Sequence, residues 1–154
     1  MAIRSVLSAL LTTVVLATSA SAQTPPPKTE AELVASGHKK LSGQQIAAKL
    51  VGNTTYVLFL APFRGAQAGS QVIIFYRDAK VRVSVPTGGP FSGKKIESNW
   101  WIEGNLYCVE QRIVGAGHEC FSQIEVGSAV YVCTQPAGEC IFLSRIVPGN
   151  PDKI

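Results

Sequence analysis

Four cysteines are the residues of this 154-residue chain whose type and spacing point most directly to chemistry. They are Cys108, Cys120, Cys133 and Cys140, separated by eleven, twelve and six residues. Structural zinc sites favour closely spaced cysteine pairs, which this spacing lacks. An even number of cysteines in an exported chain instead predicts two disulfides, and the N-terminal sequence indicates export.

The other candidate groups form no recognisable catalytic motif. His38 and His118, the two histidines, have no partner at metal-binding spacing, and no nucleophile elbow, P-loop or dinucleotide fingerprint is present. Glu110, His118 and Glu119 would suit a carboxylate-based hydrolase if the fold gathered them in one pocket. We predict no catalytic residue, metal or cofactor.

The first 22 residues have the parts of a bacterial secretory signal peptide. Arg4 supplies the positive charge, residues 6–17 are mostly apolar, and residues 20–22 (Ala-Ser-Ala) form a small-x-small cleavage site. The apolar stretch is shorter than the ~20 residues that span a bilayer. We therefore predict cleavage after Ala22 and a periplasmic or secreted protein without stable membrane insertion.

The charge pattern does not favour a nucleic-acid partner. Basic residues exceed acidic ones by 14 to 10, which gives a formal net charge of +4. Nucleic-acid binding favours basic residues gathered in a stripe, whereas these are scattered along the chain. We predict no nucleic-acid binding.

Three segments follow the predicted signal peptide. Residues 23–40 include three consecutive prolines and remain polar, which predicts a flexible leader with at most a helical turn or two at 30–35. Residues 41–148 form the predicted single domain, and residues 149–154 a C-terminal tail.

One short helix is predicted at the start of the domain, over residues 43–51. Ser42 is a good N-cap residue, and Gln45 stands where a capping box places its amide. Gly52 provides the C-terminal stop. A helix this short is not stable alone, so its apolar face must pack on the rest of the domain.

The remainder is predicted to be mainly β, as an antiparallel meander that closes as a small barrel or folds as a sandwich. Turn residues separate segments with period-two alternation. The predicted strands cover residues 54–61, 71–77, 80–85, 95–103, 106–113, 119–126, 129–133 and 140–147.

Hairpins between these strands favour one pairing of the cysteines. They place Cys108 opposite Cys120 and Cys133 opposite Cys140, within disulfide reach. In this register both faces of the strands are apolar, with Val132 and Ile141 on the face opposite the cysteines. Three aromatic residues on the cysteine face are candidate ligand or partner contacts: Trp101, Tyr131 and Phe142.

The order of several motifs resembles that of small bacterial periplasmic proteins in families of unknown function. The likeness covers residues 41–151. Its motifs are the capped helix ending in Gly-Asn-Thr (41–54), the hairpin Trp-Ile-Glu-Gly-Asn-Leu-Tyr-Cys (101–108), the strand Glu-Cys-Phe (119–121) and Pro-Gly-Asn-Pro (148–151). The resemblance implies a disulfide-bonded periplasmic β domain and no catalytic residue.

These observations favour a non-enzymatic binding or interaction module, with a small apolar ligand or a periplasmic protein as its partner. Two alternatives stay open. One is a periplasmic protease inhibitor of small-barrel type, in which residues 23–40 would insert into a protease cleft. The other is the carboxylate-based hydrolase.

Overall fold

The computed structural model describes residues 25–110 and 117–154, so the predicted signal peptide and the end of the predicted strand 106–113 lie outside the described residues. Neither described helix, α1 (Glu30–Ala35) or α2 (Gly43–Leu50), is long and apolar enough to cross a membrane. In chain order the described strands are β1 (Lys28–Thr29), β2 (Lys39–Lys40), β3 (Asn53–Phe59), β4 (Gln71–Tyr76), β5 (Val81–Pro86), β6 (Ile96–Glu103), β7 (Leu106–Glu110), β8 (His118–Val126), β9 (Ala129–Thr134) and β10 (Glu139–Pro148).

Strands β3 to β10 form a closed antiparallel barrel. Each pairs with the next along the chain, and β10 also pairs with β3. Gly104 and Gly127 each begin a two-residue turn, with φ of 59° and 61°. Residues with a side chain rarely adopt such a positive φ. The predicted antiparallel meander is confirmed, and it closes as a barrel.

Two apolar clusters account for the apolar character of both strand faces. The lumen cluster lies inside the barrel, and the outer cluster lies on its outer surface. The lumen cluster comprises Leu41, Ile46, Leu50, Val57, Ile74, Tyr76, Trp100, Tyr107, Val109, Phe121, Val130, Val132, Ile141 and Phe142. The outer cluster comprises Leu33, Leu60, Ile124, Tyr131, Cys133 and Cys140.

Residues 28–40, here called the N-terminal arm, fold across the outside of the barrel. β1 pairs with β10 and β2 pairs with β8, while α1 between them buries Leu33 in the outer cluster. The structure thus differs from the flexible leader predicted for residues 23–40, although the helix predicted at 30–35 is present. Two-residue strands carry too short a pattern to be predicted from alternation.

A polar network fixes the arm to the barrel. The Glu30 carboxylate contacts Lys40 within the arm and Ser122 of β8, and it accepts a hydrogen bond from Gln135 Nε2 at 2.8 Å. Burial raises the pKa of the Glu30 carboxyl, but these hydrogen bonds and the Lys40 charge lower that pKa by more. The ionised carboxylate is therefore the form that holds the arm.

Helix α2 closes one end of the barrel. Gln45 N donates to Ser42 Oγ and Ser42 N donates to Gln45 Oε1, so the predicted capping box is confirmed. Ile46 and Leu50 are buried in the lumen cluster. Gly43 allows a close approach to the β6–β7 turn, since a Cβ there would lie 2.2 Å from the carbonyl oxygen of Gly104.

We expect Gly43→Ala to lower the free energy of unfolding by about 1–3 kcal/mol, because the added methyl group would collide with backbone. Gly88→Ala is the matched control, since a Cβ at that position meets no atom within 4 Å. Urea unfolding followed by circular dichroism measures both variants. Equal stability of the two would contradict the close packing of α2.

Both predicted disulfides are present. Cys108 bonds to Cys120 across β7 and β8, and Cys133 bonds to Cys140 across β9 and β10. Their sequence separations are 12 and 7 residues. In the loop-entropy model, closures of this size each stabilise the fold by about 2.5–3 kcal/mol.

A β-bulge near the start of β10 changes the face of Phe142. Cys140 lies opposite Cys133, but Phe142 lies opposite Val132, so Ile141 is an extra residue. Successive residues of a strand point to opposite faces, and a bulge exchanges the faces beyond it. The prediction that Phe142 lies on the cysteine face is therefore wrong, since it lies in the lumen with Val132.

Candidate functional site

The barrel lumen contains a cavity of about 390 Å³. Leu50 of α2 lines one end, and residues 63–67 and 88–91, from the β3–β4 and β5–β6 loops, line the other. An eight-stranded barrel is just wide enough to be filled by its side chains or to hold one small ligand. The volume falls in the range of roughly 300–1,000 Å³ found for small-molecule sites.

The wall of the cavity is mainly apolar, and aromatic rings concentrate around Phe142. Its ring centroid lies 4.9 Å from that of Phe59, 5.2 Å from that of Phe63 and 5.7 Å from that of Phe121, all in edge-to-face geometry. Aliphatic side chains line the neighbouring strands, namely Val57, Val72, Ile74, Val130 and Val132. Such a surface favours an apolar ligand.

The loop end is where the cavity meets solvent. The exposed residues among those lining it all lie at this end: 64, 65, 67, 71 and 88–91. The β3–β4 loop is fastened to the rim by an ion pair, in which Arg64 Nε donates to Glu119 Oε1 at 2.7 Å. A ligand would therefore enter between the two loops.

Polar side chains gather at the opposite end of the cavity, near α2. Tyr76 lies opposite Arg82 in the sheet, and Arg82 lies opposite Ser98. Arg82 Nη1 donates to Tyr107 Oη at 2.7 Å and Arg82 Nε donates to Ser98 Oγ at 3.0 Å. Tyr76 Oη donates to Tyr107 Oη at 3.3 Å. The register thus assembles one connected network in a largely apolar space.

Burial keeps the Tyr76 hydroxyl protonated. Desolvation raises the pKa of Tyr76 well above its ordinary value, and Tyr107 raises it further, whereas the Arg82 charge lowers it by less. Tyr76 is therefore a neutral hydrogen-bond donor at physiological pH.

We expect the protein to lose stability above about pH 10, where an unfolded tyrosine ionises. Folded Tyr76 retains its proton there, so the native state binds more protons and the free energy of unfolding falls as pH rises. Below about pH 10 the contribution of Tyr76 to the free energy of unfolding does not change with pH. In Tyr76→Phe the free energy of unfolding should decrease less steeply with pH, by up to about 1 kcal/mol per pH unit. Urea unfolding at a series of alkaline pH values measures this, and equal slopes would contradict it.

Two buried polar atoms on the cavity wall have no hydrogen-bond partner among the described residues. They are Thr55 Oγ1 and Gln123 Oε1, in side chains of residues that are each 3% exposed. An unpaired buried polar atom costs about 1–3 kcal/mol. These positions would be more stable with apolar residues, so their polarity suits a ligand that hydrogen-bonds to them.

We expect Gln123→Leu to raise the free energy of unfolding by about 1 kcal/mol, because it removes an unpaired amide oxygen from the lumen. Gln135→Leu is the matched control, since the Gln135 amide donates to Glu30 and to Ser122 and its loss should destabilise the fold. Denaturant unfolding of both variants gives the comparison. A less stable Gln123→Leu protein would show that this amide oxygen is satisfied.

The three predicted contact residues lie in two places. Phe142 lines the cavity. Trp101 is half-buried on the outer surface, opposite Cys108, with its ring 5.4 Å from that of His118. Tyr131 is buried in the outer cluster. A role for Trp101 and Tyr131 in contacting a partner stays a prediction.

The three residues considered for a hydrolase are not gathered in one pocket: His118 and Glu119 line a second pocket, and Glu110 does not line it. Glu110 and His118 lie opposite each other on β7 and β8, whereas Glu119 points to the other face and binds Arg64. The Glu110 carboxylate accepts a hydrogen bond from Asn99 Nδ2 at 3.0 Å. This arrangement offers no pair of carboxylates converging on a substrate.

One group of potential metal ligands is blocked by a disulfide. A Glu103 carboxylate oxygen and the sulfurs of Cys108 and Cys120 lie within 4.8 Å of one another. Cysteine binds metals as the thiolate, and these sulfurs are bonded to each other. The three residues therefore do not fit a metal ion in the oxidised protein.

The polar residues of the lumen were not predicted from the sequence. Arg82 and Ser84 alternate with valines along β5, and the usual interpretation places the valines inside. The structure places Arg82 and Ser84 on the cavity wall instead. The inverted pattern becomes recognisable only when the neighbouring strands fix which face of β5 points inward.

Comparisons of the chain with protein-family models, with curated proteins and with solved structures found no match. The resemblance to periplasmic β families therefore stays a prediction. The apolar cavity in the lumen is therefore the feature from which we argue a function.

Proposed function

We propose that the protein is an exported, non-enzymatic binding protein that holds a small, largely apolar molecule inside its barrel. One observation carries the proposal: the closed sheet encloses a cavity of about 390 Å³ whose exposed lining residues lie at one end only. On binding, such a ligand would bury most of its surface against the apolar side chains of the cavity.

The energetics of the lumen suit binding. Removing apolar surface from water contributes roughly 25 cal/mol per Å². A preformed site loses little conformational entropy when it is occupied, so more of this energy appears as affinity. The strand ladder is closed, and two disulfides link adjacent strands of the same barrel, which keeps the wall in place.

The cysteines and the N-terminal sequence support an oxidising compartment outside the cytoplasm. Two disulfides are consistent with an oxidising environment. Together with the predicted signal peptide at residues 1–22, they lead us to propose the bacterial periplasm or the extracellular space.

The alternatives have less support. A protease inhibitor that acts through residues 23–40 would have to detach most of that segment, because β1 pairs with β10, β2 pairs with β8 and Leu33 between them is buried. A hydrolase lacks a shared pocket for Glu110, His118 and Glu119.

The neutral fluorophore N-phenyl-1-naphthylamine should bind the mature, oxidised protein at one site, with increased fluorescence. Val72→Trp should weaken its binding roughly tenfold or more, because an indole fills part of the cavity that Val72 lines. Ile73→Trp is the matched control, since the next residue of β4 points away from the lumen. Fluorescence titration measures all three proteins.

Circular dichroism checks that both tryptophan variants are folded. Absence of binding to the wild type would overturn the proposal. So would equal losses in the two variants, because the fluorophore would then bind somewhere other than the lumen.

A further inference from the structure

We infer that the ligand of the lumen carries a carboxylate and that Arg82 and Tyr107 bind it. This rests on the proposed function, since it names the chemical class of the molecule that the cavity holds. The ligand would be an amphiphile with its charged group near α2 and its apolar part toward the loops.

The pattern of β5 is the first observation. Arg82, which is half-buried, and Ser84, which is buried, line the cavity, while Val81, Val83 and Val85 are half-buried on the outer surface. Stability alone would favour the opposite arrangement, with valines inside and polar residues in water. The strand therefore places a cation in the lumen at the expense of apolar burial.

The second observation is that Arg82 has no carboxylate partner among the described residues. The ion pairs of the described residues involve Lys40, Lys49, Arg64 and Arg77. Arg82 hydrogen-bonds instead to two neutral hydroxyls, those of Ser98 and Tyr107. The guanidinium is half-buried beside apolar side chains, so it is partly desolvated and an anion next to it would offset that cost.

The third observation is the geometry of the donors. Tyr107 Oη accepts hydrogen bonds from both Arg82 and Tyr76, which leaves its own proton to donate. Arg82 Nη2 has no hydrogen-bond partner among the described residues, and a guanidinium presents its donors as a planar fork that matches a carboxylate. Arg82 and Tyr107 together therefore offer an anion a charge and two sets of donors.

The charge count selects the class of anion. Among the described residues, Arg82 is the one cationic residue that lines the cavity at the α2 end, since Arg64 lies at the loop end and is paired with Glu119. A carboxylate brings one negative charge and would be neutralised by Arg82. A phosphate monoester brings about −1.5 to −2 at pH 7 and would leave charge uncompensated among apolar walls.

Competition against bound N-phenyl-1-naphthylamine tests the inference. Decanoate and decanamide have the same length and nearly the same shape, but only decanoate is charged at pH 7.5. Because a hydrogen bond to a charged group is worth roughly 1.5–3 kcal/mol, decanoate should displace the fluorophore from the wild type at about ten- to hundredfold lower concentration than decanamide.

Arg82→Met should abolish this preference, which is read as the ratio of the decanamide and decanoate concentrations that displace the fluorophore from the same protein. Arg82→Lys should keep part of it, since the charge remains but the fork is lost. Arg77→Met is the matched control, because Arg77 is exposed and pairs with Asp78 and Glu97 outside the cavity. It should retain the full preference.

Each outcome separates this inference from the proposed function. If the fluorophore binds the wild type but decanoate and decanamide displace it equally, the inference fails and the proposed function stands. If the fluorophore does not bind at all, both fail. The wild-type comparison remains decisive even if Arg82→Met does not fold.

Discussion

The pairing of β10 with β3 is the contact on which the rest of this molecule depends. It extends over seven residue pairs, from Phe142 opposite Phe59 to Pro148 opposite Asn53. Because the first and last barrel strands meet, alternate residues of all eight strands share one enclosed space. In an open sheet the same residues would form a surface that another element would have to cover. Closure is what converts an apolar face into a cavity wall.

Much of the fold was predictable because its signals are local. The Ser42–Gln45 capping box identified α2, and Gly-containing turns separated the strands. Closure is different, since it depends on a contact between strands that are far apart in the chain. The bulge at Ile141 was also unpredictable, because a single extra residue in β10 changes the face of Phe142 without altering the composition of the strand.

The candidate site was predictable only in part, for the same physical reason. Phe142 was predicted as a contact residue, although on the wrong face, because large aromatic residues often dominate binding energy. Arg82 and Gln123 were missed, since an isolated polar residue on a strand ordinarily points to water. Their placement in the lumen follows from the register of β5 with β4 and of β8 with β9. A polar lumen residue is therefore a property of the assembled barrel.

The N-terminal arm has a consequence for association between copies of the protein. The first residues of β10 extend past β3, and the last residues of β8 extend past β7, so each has backbone groups that the barrel strands do not reach. β1 and β2 pair with these two stretches, and all three lysines of the two short strands are exposed. Open strand edges recruit strands from other molecules, and exposed lysines discourage this. Proteolytic removal of the arm would therefore leave the barrel with two uncovered stretches of strand, in β8 and β10, that could pair with strands of other copies.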